Sequence, residues 1–330
     1  MIQAKRTMKA TKTMRGSTTS KRLKSSSPRK MAKNKKSLSA KTPSAPKTKT
    51  RKILKSCVVI TGASSGIGLE FADYYVSTQA EHNCTVVLVS SNRKKLEKTK
   101  TLFLNKYPQS SIVIQVLDLS KNSAAQSLIA MCVQKKMHPR VLINNAGIGH
   151  IGKFNAMSRE ELRRLMMLNM NTLTELTYLF LGQMKRREDE GLVINIASTA
   201  AFQPMPYFAL YAATKAFVLS LTDALAEEYR DENVRFLTVC PGPVRTNFFE
   251  RAMETSGTTT PTARLIDFFR ANKARSPGDV VQSTMRAVKK GTVGMHVDGK
   301  FNRILVSLTA WVPYRLRPKL TVKFFKKLMP

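Results

Sequence analysis

Six short apolar runs recur along this chain, and none of them alternates. They are K-S-C-V-V-I-T (55–61), T-V-V-L-V-S (85–90), S-I-V-I-Q-V-L (111–117), R-V-L-I-N (140–144), L-V-I-N-I-A (192–197) and V-R-F-L-T-V-C (234–240). A strand with one wet face alternates apolar and polar side chains, whereas a strand buried on both faces reads as a near-continuous apolar run. Between the runs lie segments of helical length with apolar residues three and four apart, such as F-A-D-Y-Y-V, L-I-A-M-C-V and L-R-R-L-M-M-L-N-M. Strand and helix in strict succession predict an α/β fold, a doubly wound parallel sheet in one domain over residues 53–298. T-V-G-M-H-V (292–297) supplies a seventh strand.

The two ends have a different texture. Of the 56 Lys and Arg residues, 19 fall between Met1 and Lys55, and none of the 21 acids does; the rest of the chain carries +16 of the +35 net charge. Residues 1–52 have too few large apolar side chains to offset the entropy of ordering, which predicts a disordered basic arm. K-S-S-S-P-R-K and K-N-K-K leave three readings open: a transit peptide, a nucleic-acid-binding or nuclear signal, and a solvated arm. From 299 to 330, bulky apolar groups mix with Lys and Arg, and no acid follows Asp298. This predicts a basic amphipathic helical extension, suited to peripheral membrane contact or to a subunit interface in a homo-oligomer. No apolar run approaches the roughly 20 residues of a membrane-spanning helix. The four cysteines are scattered through apolar runs. They lack metal-ligand spacing and are read as buried reduced thiols of an intracellular protein, cytoplasmic or membrane-peripheral. The arm leaves nuclear or organellar targeting open.

T-G-A-S-S-G-I-G (61–68) follows the first strand directly and opens a helix, the context that a dinucleotide loop requires. Gly62 permits the tight turn, Gly66 lets the backbone approach a pyrophosphate, and Gly68 lets helix and strand pack closely. The helix N-terminus offers N–H groups to phosphate, with Ser64, Ser65 and Ile67 beside it. An NAD site places an acid at the end of the second strand to hold the ribose 2′-hydroxyl. Here that strand ends S-S-N-R-K-K (90–95). With no acid among Ser91, Asn92 and Arg93, and with cations to meet a 2′-phosphate, NADP is favoured, with NAD the alternative.

The chain resembles the short-chain dehydrogenase/reductase family over about residues 54–298. The resemblance is carried by T-G-A-S-S-G-I-G, D-L (118–119), N-N-A-G (144–147), Asn169 in L-N-M-N, Ser198 in I-A-S, Y-A-A-T-K (211–215) and P-G-P-V-R-T (241–246), in the family's order and spacing. It implies a Rossmann-type seven-stranded sheet and NAD(P)(H)-dependent hydride transfer between a carbonyl and an alcohol. By similarity, Tyr211 is the general acid/base, Lys215 lowers its pKa and holds the nicotinamide ribose, Ser198 orients the substrate oxygen, and Asn169 supports a proton relay. Asp118 and Leu119 fall near the adenine, and Asn145, Ala146 and Gly147 line the cofactor cleft. Pro241, Gly242 and Val244 follow, and Thr246 contacts the carboxamide. The chain departs from many NADP-dependent relatives at Ser91–Asn92, where an arginine directly follows the strand in those proteins.

The residues alone make the Tyr–Lys pair intelligible. Four positions apart on a helix, they share a face. A free tyrosine has a pKa of about 10, and a neighbouring cation favours its phenolate. The region after Thr246 is a mobile lid in this family. Here it offers Phe248, Phe249, Met253, Leu265, Phe268 and Phe269, and the segment after the serine adds Phe202, Met205 and Phe208. With Ser198, these predict an apolar pocket for a lipophilic carbonyl or alcohol: a steroid, a retinoid or an acyl chain. The alternative is a cofactor-sensing binding protein that acts through its basic arm on nucleic acid or anionic membranes.

Overall fold

The computed structural model describes residues 55–79, 83–185, 190–254 and 274–328. The expected basic arm and the lid positions Leu265, Phe268 and Phe269 lie outside the described residues.

Seven parallel strands form one sheet in the order β3-β2-β1-β4-β5-β6-β7. They are β1 (Lys55–Thr61), β2 (Thr85–Ser90), β3 (Ile112–Val116), β4 (Met137–Asn144), β5 (Gly191–Ile196), β6 (Val234–Cys240) and β7 (Gly294–Val297). The apolar runs are continuous because both faces are covered. In β1, Val58 and Ile60 face a core shared with Phe71 and Tyr75, whereas Cys57 and Val59 face a second core with Leu128 and Phe180. Truncating a side chain as buried as Phe180 costs about 3–5 kcal/mol. All four cysteines are buried and free, as the sequence leads one to expect.

The helices are α1 (Gly66–Ser77), α2 (Arg93–Lys106), α3 (Ala124–Gln134), α4 (Arg159–Met166), α5 (Thr172–Met184), α6 (Ala209–Glu228), α7 (Phe248–Glu254), α8 (Pro277–Lys289), α9 (Lys300–Trp311) and α10 (Arg317–Leu328). Two starts are written in the sequence as capping boxes: Ser158 with Glu161 for α4, and Ser276 with Asp279 for α8.

Two features differ from expectation. L-R-R-L-M-M-L-N-M is not one regular helix: a π turn at Met167–Asn171 separates α4 from α5. The twenty-residue α6 is also long and apolar enough, by composition, to cross a membrane. It packs on the sheet instead, burying Thr214, Lys215 and Thr222 as well as its apolar residues.

The chain reverses its direction of winding between β1 and β4. Ligands of open α/β sheets bind at such a switch point, beyond the carboxyl ends of the strands. A cleft of about 820 Å³ opens there.

Candidate active site

The floor of the cleft is sewn by short polar side chains. Thr61 Oγ1 donates to the Ile143 carbonyl and accepts from the Asn145 and Ala146 N–H groups. Asn145 Nδ2 donates back to the Thr61 carbonyl at 2.9 Å. Below, Asn144 Nδ2 donates to Asn195 Oδ1 at 2.9 Å, and Asn195 Nδ2 donates to Thr222 Oγ1 at 2.9 Å. The ends of β1, β4 and β5 are thereby fixed against one another.

On this floor the glycine loop meets the demands of a dinucleotide. Gly62 and Gly66 have φ of 66° and 57°, a conformation that glycine adopts without strain. A Cβ on Gly68 would collide with the Gly62 carbonyl oxygen. The first turn of α1 contains no acid, and its N-cap residue, Ser65, makes no side-chain cap hydrogen bond. Its N–H groups and dipole are therefore available to an anion. These residues fit the pyrophosphate of a nicotinamide dinucleotide.

Most of the expected cofactor residues line the cleft: Gly62, Ser64, Ser65, Gly66, Ile67, Ser91, Asp118, Leu119, Asn145, Ala146, Gly147, Pro241, Gly242, Val244 and Thr246. Burial pushes the Asp118 carboxyl up, but hydrogen bonds from Ser120 Oγ and N–H hold it below its ordinary value. Three candidates do not reach the lining. Gly68 acts by close packing. Asn92 is consumed as the N-cap of α2, accepting from Lys95 N–H. Arg93 turns along the helix to Glu97, at 3.6 Å. Lys95 instead comes beside the glycine loop: with Arg245, Arg251 and the acids Glu70 and Glu250, it joins Ser65 and Gly66 around a neighbouring cavity of about 500 Å³. The helix geometry explains the exchange: an arginine on the first turn finds its acid one turn on.

Tyr211 and Lys215 stand on the buried face of α6. The tyrosine ring is stacked on Phe208 (4.2 Å between centroids, 20° between planes), and Phe248 lies 5.3 Å from it on α7. Lys215 Nζ lies 5.7 Å from the centroid of the Tyr211 ring and donates to the Ile196 carbonyl at 2.7 Å. Burial pushes the Tyr211 hydroxyl up, and its hydrogen-bonding neighbour Ser198 pulls the other way. Burial also lowers Lys215 to about 8. Burial is the larger of these two influences on the tyrosine. Cys240, close by, is raised to about 12, mainly by burial.

Ser198 follows β5 and caps the 3-10 turn Thr199–Phe202, accepting from Ala200 N–H at 3.1 Å. Asn169 does not line the cleft. It sits in the π turn, accepts from Ile148 N–H at 3.0 Å, and donates to the Ile148 carbonyl and to Thr214 Oγ1. It thus ties the segment after N-N-A-G to the helix that carries Tyr211. Extra-residue π turns of this kind recur at functional positions because they re-aim one side chain. The loop P-G-P-V-R-T is held by a bridge between Val244 and Arg275, whose guanidinium meets the fully buried Asp298 at 2.7 Å.

Of the expected substrate residues, Ser198, Met205, Phe208, Phe248 and Phe249 line the cleft. Phe202 does not. It packs against the cluster of Leu173, Val218 and Val297. Sequence reasoning missed the opposite wall, made by Phe301, Asn302, Leu305 and Leu320 of α9 and α10. One signal was present in principle: a Cβ on Gly242 would lie 2.6 Å from the Asn302 amide, so the glycine marks the place where α9 crosses.

The short chain dehydrogenase family model matches residues 56–257, more than half of the chain. The chain belongs to the short-chain dehydrogenase family. It is 29% identical over 252 residues to the ketoacyl reductase HetN of a Nostoc species, covering 76% of this chain and 81% of that protein. Among solved structures, it is similar to a short-chain dehydrogenase from Sphingobium yanoikuyae in complex with NADPH. That match has a TM-score of 0.62 and 23% identity, and covers 79% of this chain and 96% of the other. A short chain dehydrogenase/reductase from Burkholderia phymatum in complex with NAD matches with a TM-score of 0.66 and 22% identity, covering 77% and 92%. The protein is accordingly an NAD(P)-dependent oxidoreductase acting on alcohol and carbonyl groups of a small-molecule substrate. The alternative of a binding protein rests on the basic arm, outside the described residues.

Proposed function

We propose that this protein is an NADP(H)-dependent reductase of a lipophilic carbonyl compound, with Tyr211 as its acid. The observation that carries the reading is the setting of Tyr211: a buried phenol beside Ser198, held between Phe208 and Phe248, at the mouth of a cleft whose other end is the glycine loop. The glycine loop and the ends of β1 and β4 would hold a nicotinamide dinucleotide, which when bound would supply the hydride for the carbonyl carbon. Tyr211 gives its proton to the carbonyl oxygen as negative charge develops there. Ser198 donates a hydrogen bond to the same oxygen, where a fixed donor in a water-poor site is most effective. Lys215, held by the Ile196 carbonyl one helical turn from Tyr211, places its cation beside the tyrosine and would hold the nicotinamide ribose. Asn169 holds Ile148 and α6 in register for the transfer. Oxidation of the alcohol reverses each step.

The aromatic and aliphatic lining supports a lipophilic substrate. Phe208, Phe248, Met205 and Phe249 belong to one apolar cluster with Tyr211. For the cofactor, the support is Ser90 and Ser91 where an NAD site would have an acid, together with Lys95 beside the glycine loop. Charge-assisted contacts to phosphate are worth about 1.5–3 kcal/mol each, or tenfold and more in affinity. Calorimetric titration should therefore give tighter binding of NADPH than of NADH, and Ser91→Asp should reverse the order. Equal binding by the unaltered protein would refute the preference. Turnover on a ladder of ketones of rising chain length tests the substrate class: kcat/KM should rise with length, and a flat ladder would refute it.

A further inference from the structure

Helix α9 packs Val306 on the core and Leu305 on the cleft, yet leaves a second apolar face uncovered. A surface helix ordinarily turns its apolar stripe to the core. Here Ile304, Leu308 and Trp311 lie three to four residues apart on one face, and they are 59%, 58% and 87% exposed. Tyr314 and Leu316, after the helix, extend the exposed apolar strip. The strip is not a frayed end. Arg317, at the start of α10, donates to the Val312 and Ala310 carbonyls and to the Phe202 carbonyl of the 3-10 turn beside Ser198. The pair is thus tied to the catalytic layer while its apolar side faces outward.

The charge around the strip selects what covers it. Lys300, Arg303, Arg315, Lys319, Lys323 and Lys326 are all exposed, and no acid follows Asp298 in the chain. A second copy would bring two such cationic sets together, and like charges disfavour that. An anionic lipid surface satisfies both features at once. Acyl chains receive the leucine and isoleucine, the aromatic side chains sit at the boundary, and headgroups meet the cations. We propose that α9, the turn after it and α10 form a docking surface for an anionic membrane. Leu305 and Leu320 on the same helices line the cleft, so the docked face adjoins the mouth of the site. The docking reading stands on the helix faces and does not depend on the identity of the substrate.

Trp311 is the single tryptophan of the chain, and its emission reports this face directly. The full chain is mixed with phosphatidylcholine vesicles, with and without phosphatidylglycerol. The expected result is a blue shift with the anionic vesicles alone. Ile304→Glu combined with Leu308→Glu should abolish the shift and weaken partitioning more than tenfold, because each substitution puts a carboxylate where an aliphatic side chain entered the lipid. NADPH oxidation with a water-soluble ketone should be unchanged in that variant, which shows that it is folded. Capture of the chain by vesicles without a shift at Trp311 would place the contact on the basic arm and overturn the proposal. An equal shift on neutral vesicles would overturn the anionic assignment. So would sedimentation as a dimer with Trp311 already shielded in lipid-free buffer, since a second copy would then own the face.

Discussion

The two walls of the cleft are made of different material. The glycine-loop wall is backbone: turns at positive φ, a helix N-terminus without side-chain caps, and a contact at Gly68 that admits no Cβ. The α9–α10 wall is side chain: Leu305 and Leu320 project into the cleft, and no residue of α9 is fully buried. A backbone wall has few alternatives and binds a cofactor whose shape is fixed. A side-chain wall is held by a few anchors, such as Asn302 Nδ2 to the Asp298 carbonyl at 2.7 Å, and its lining can vary without disturbing the sheet. The first kind of wall suits an invariant ligand, and the second kind suits one whose shape varies.

Tyr211 stands between the walls, and its loss should have the largest effect. Tyr211→Phe removes the acid while keeping the stacked ring, so kcat should fall about a hundred- to ten-thousandfold with cofactor affinity nearly unchanged. Wild-type turnover in this variant would remove the tyrosine from the mechanism and leave the contrast without its chemical side.

Lys215 comes next, through stability. Its folded pKa of about 8 lies below its ordinary 10.5. The unfolded chain therefore binds the extra proton more readily, and stability from this group rises with pH between 8 and 10.5. Below pH 8 the full penalty is present, about 3 kcal/mol by this shift. Lys215→Met should thus raise the melting temperature of the cofactor-free protein by several degrees at pH 7, with the gain shrinking towards pH 10.5, while abolishing turnover. Thermal scans across that range check it, and a loss of stability at pH 7 would show that the ammonium–Ile196 contact outweighs burial.

The walls themselves are compared by a matched pair. Gly68→Ala should cost about 1–3 kcal/mol of stability by overpacking and should weaken both nicotinamide cofactors. Leu305→Ser should leave melting and cofactor binding nearly unchanged and raise KM only for the more lipophilic ketones, by about tenfold or less, since one half-exposed leucine contributes under 2 kcal/mol. If Leu305→Ser changed cofactor affinity as much as Gly68→Ala, the division between the walls would fall.

Much of the first wall was legible in the sequence. The strand runs, Gly62, Gly66 and Gly68, and the spacing from Ser198 to Tyr211 to Lys215 depend on local backbone geometry and helix periodicity, which the sequence states directly. Asn92 and Arg93 lie off the cleft lining because a helix N-terminus claims nearby polar side chains for its own N–H groups and i,i+4 partners. Phe202 packs onto the cluster of Leu173, Val218 and Val297, a contact that no local pattern announces. The sequence by itself determined the fold and the cofactor class, since each rests on periodicity or on a contiguous motif. Only the tertiary structure decided that the last helices form the far wall, that a π turn turns Asn169 onto Ile148, and that burial sets the acidity of Tyr211 and Lys215. Those depend on contacts between residues far apart in the chain, such as Gly242 with Asn302 and Asn169 with Thr214, and no local pattern encodes such contacts.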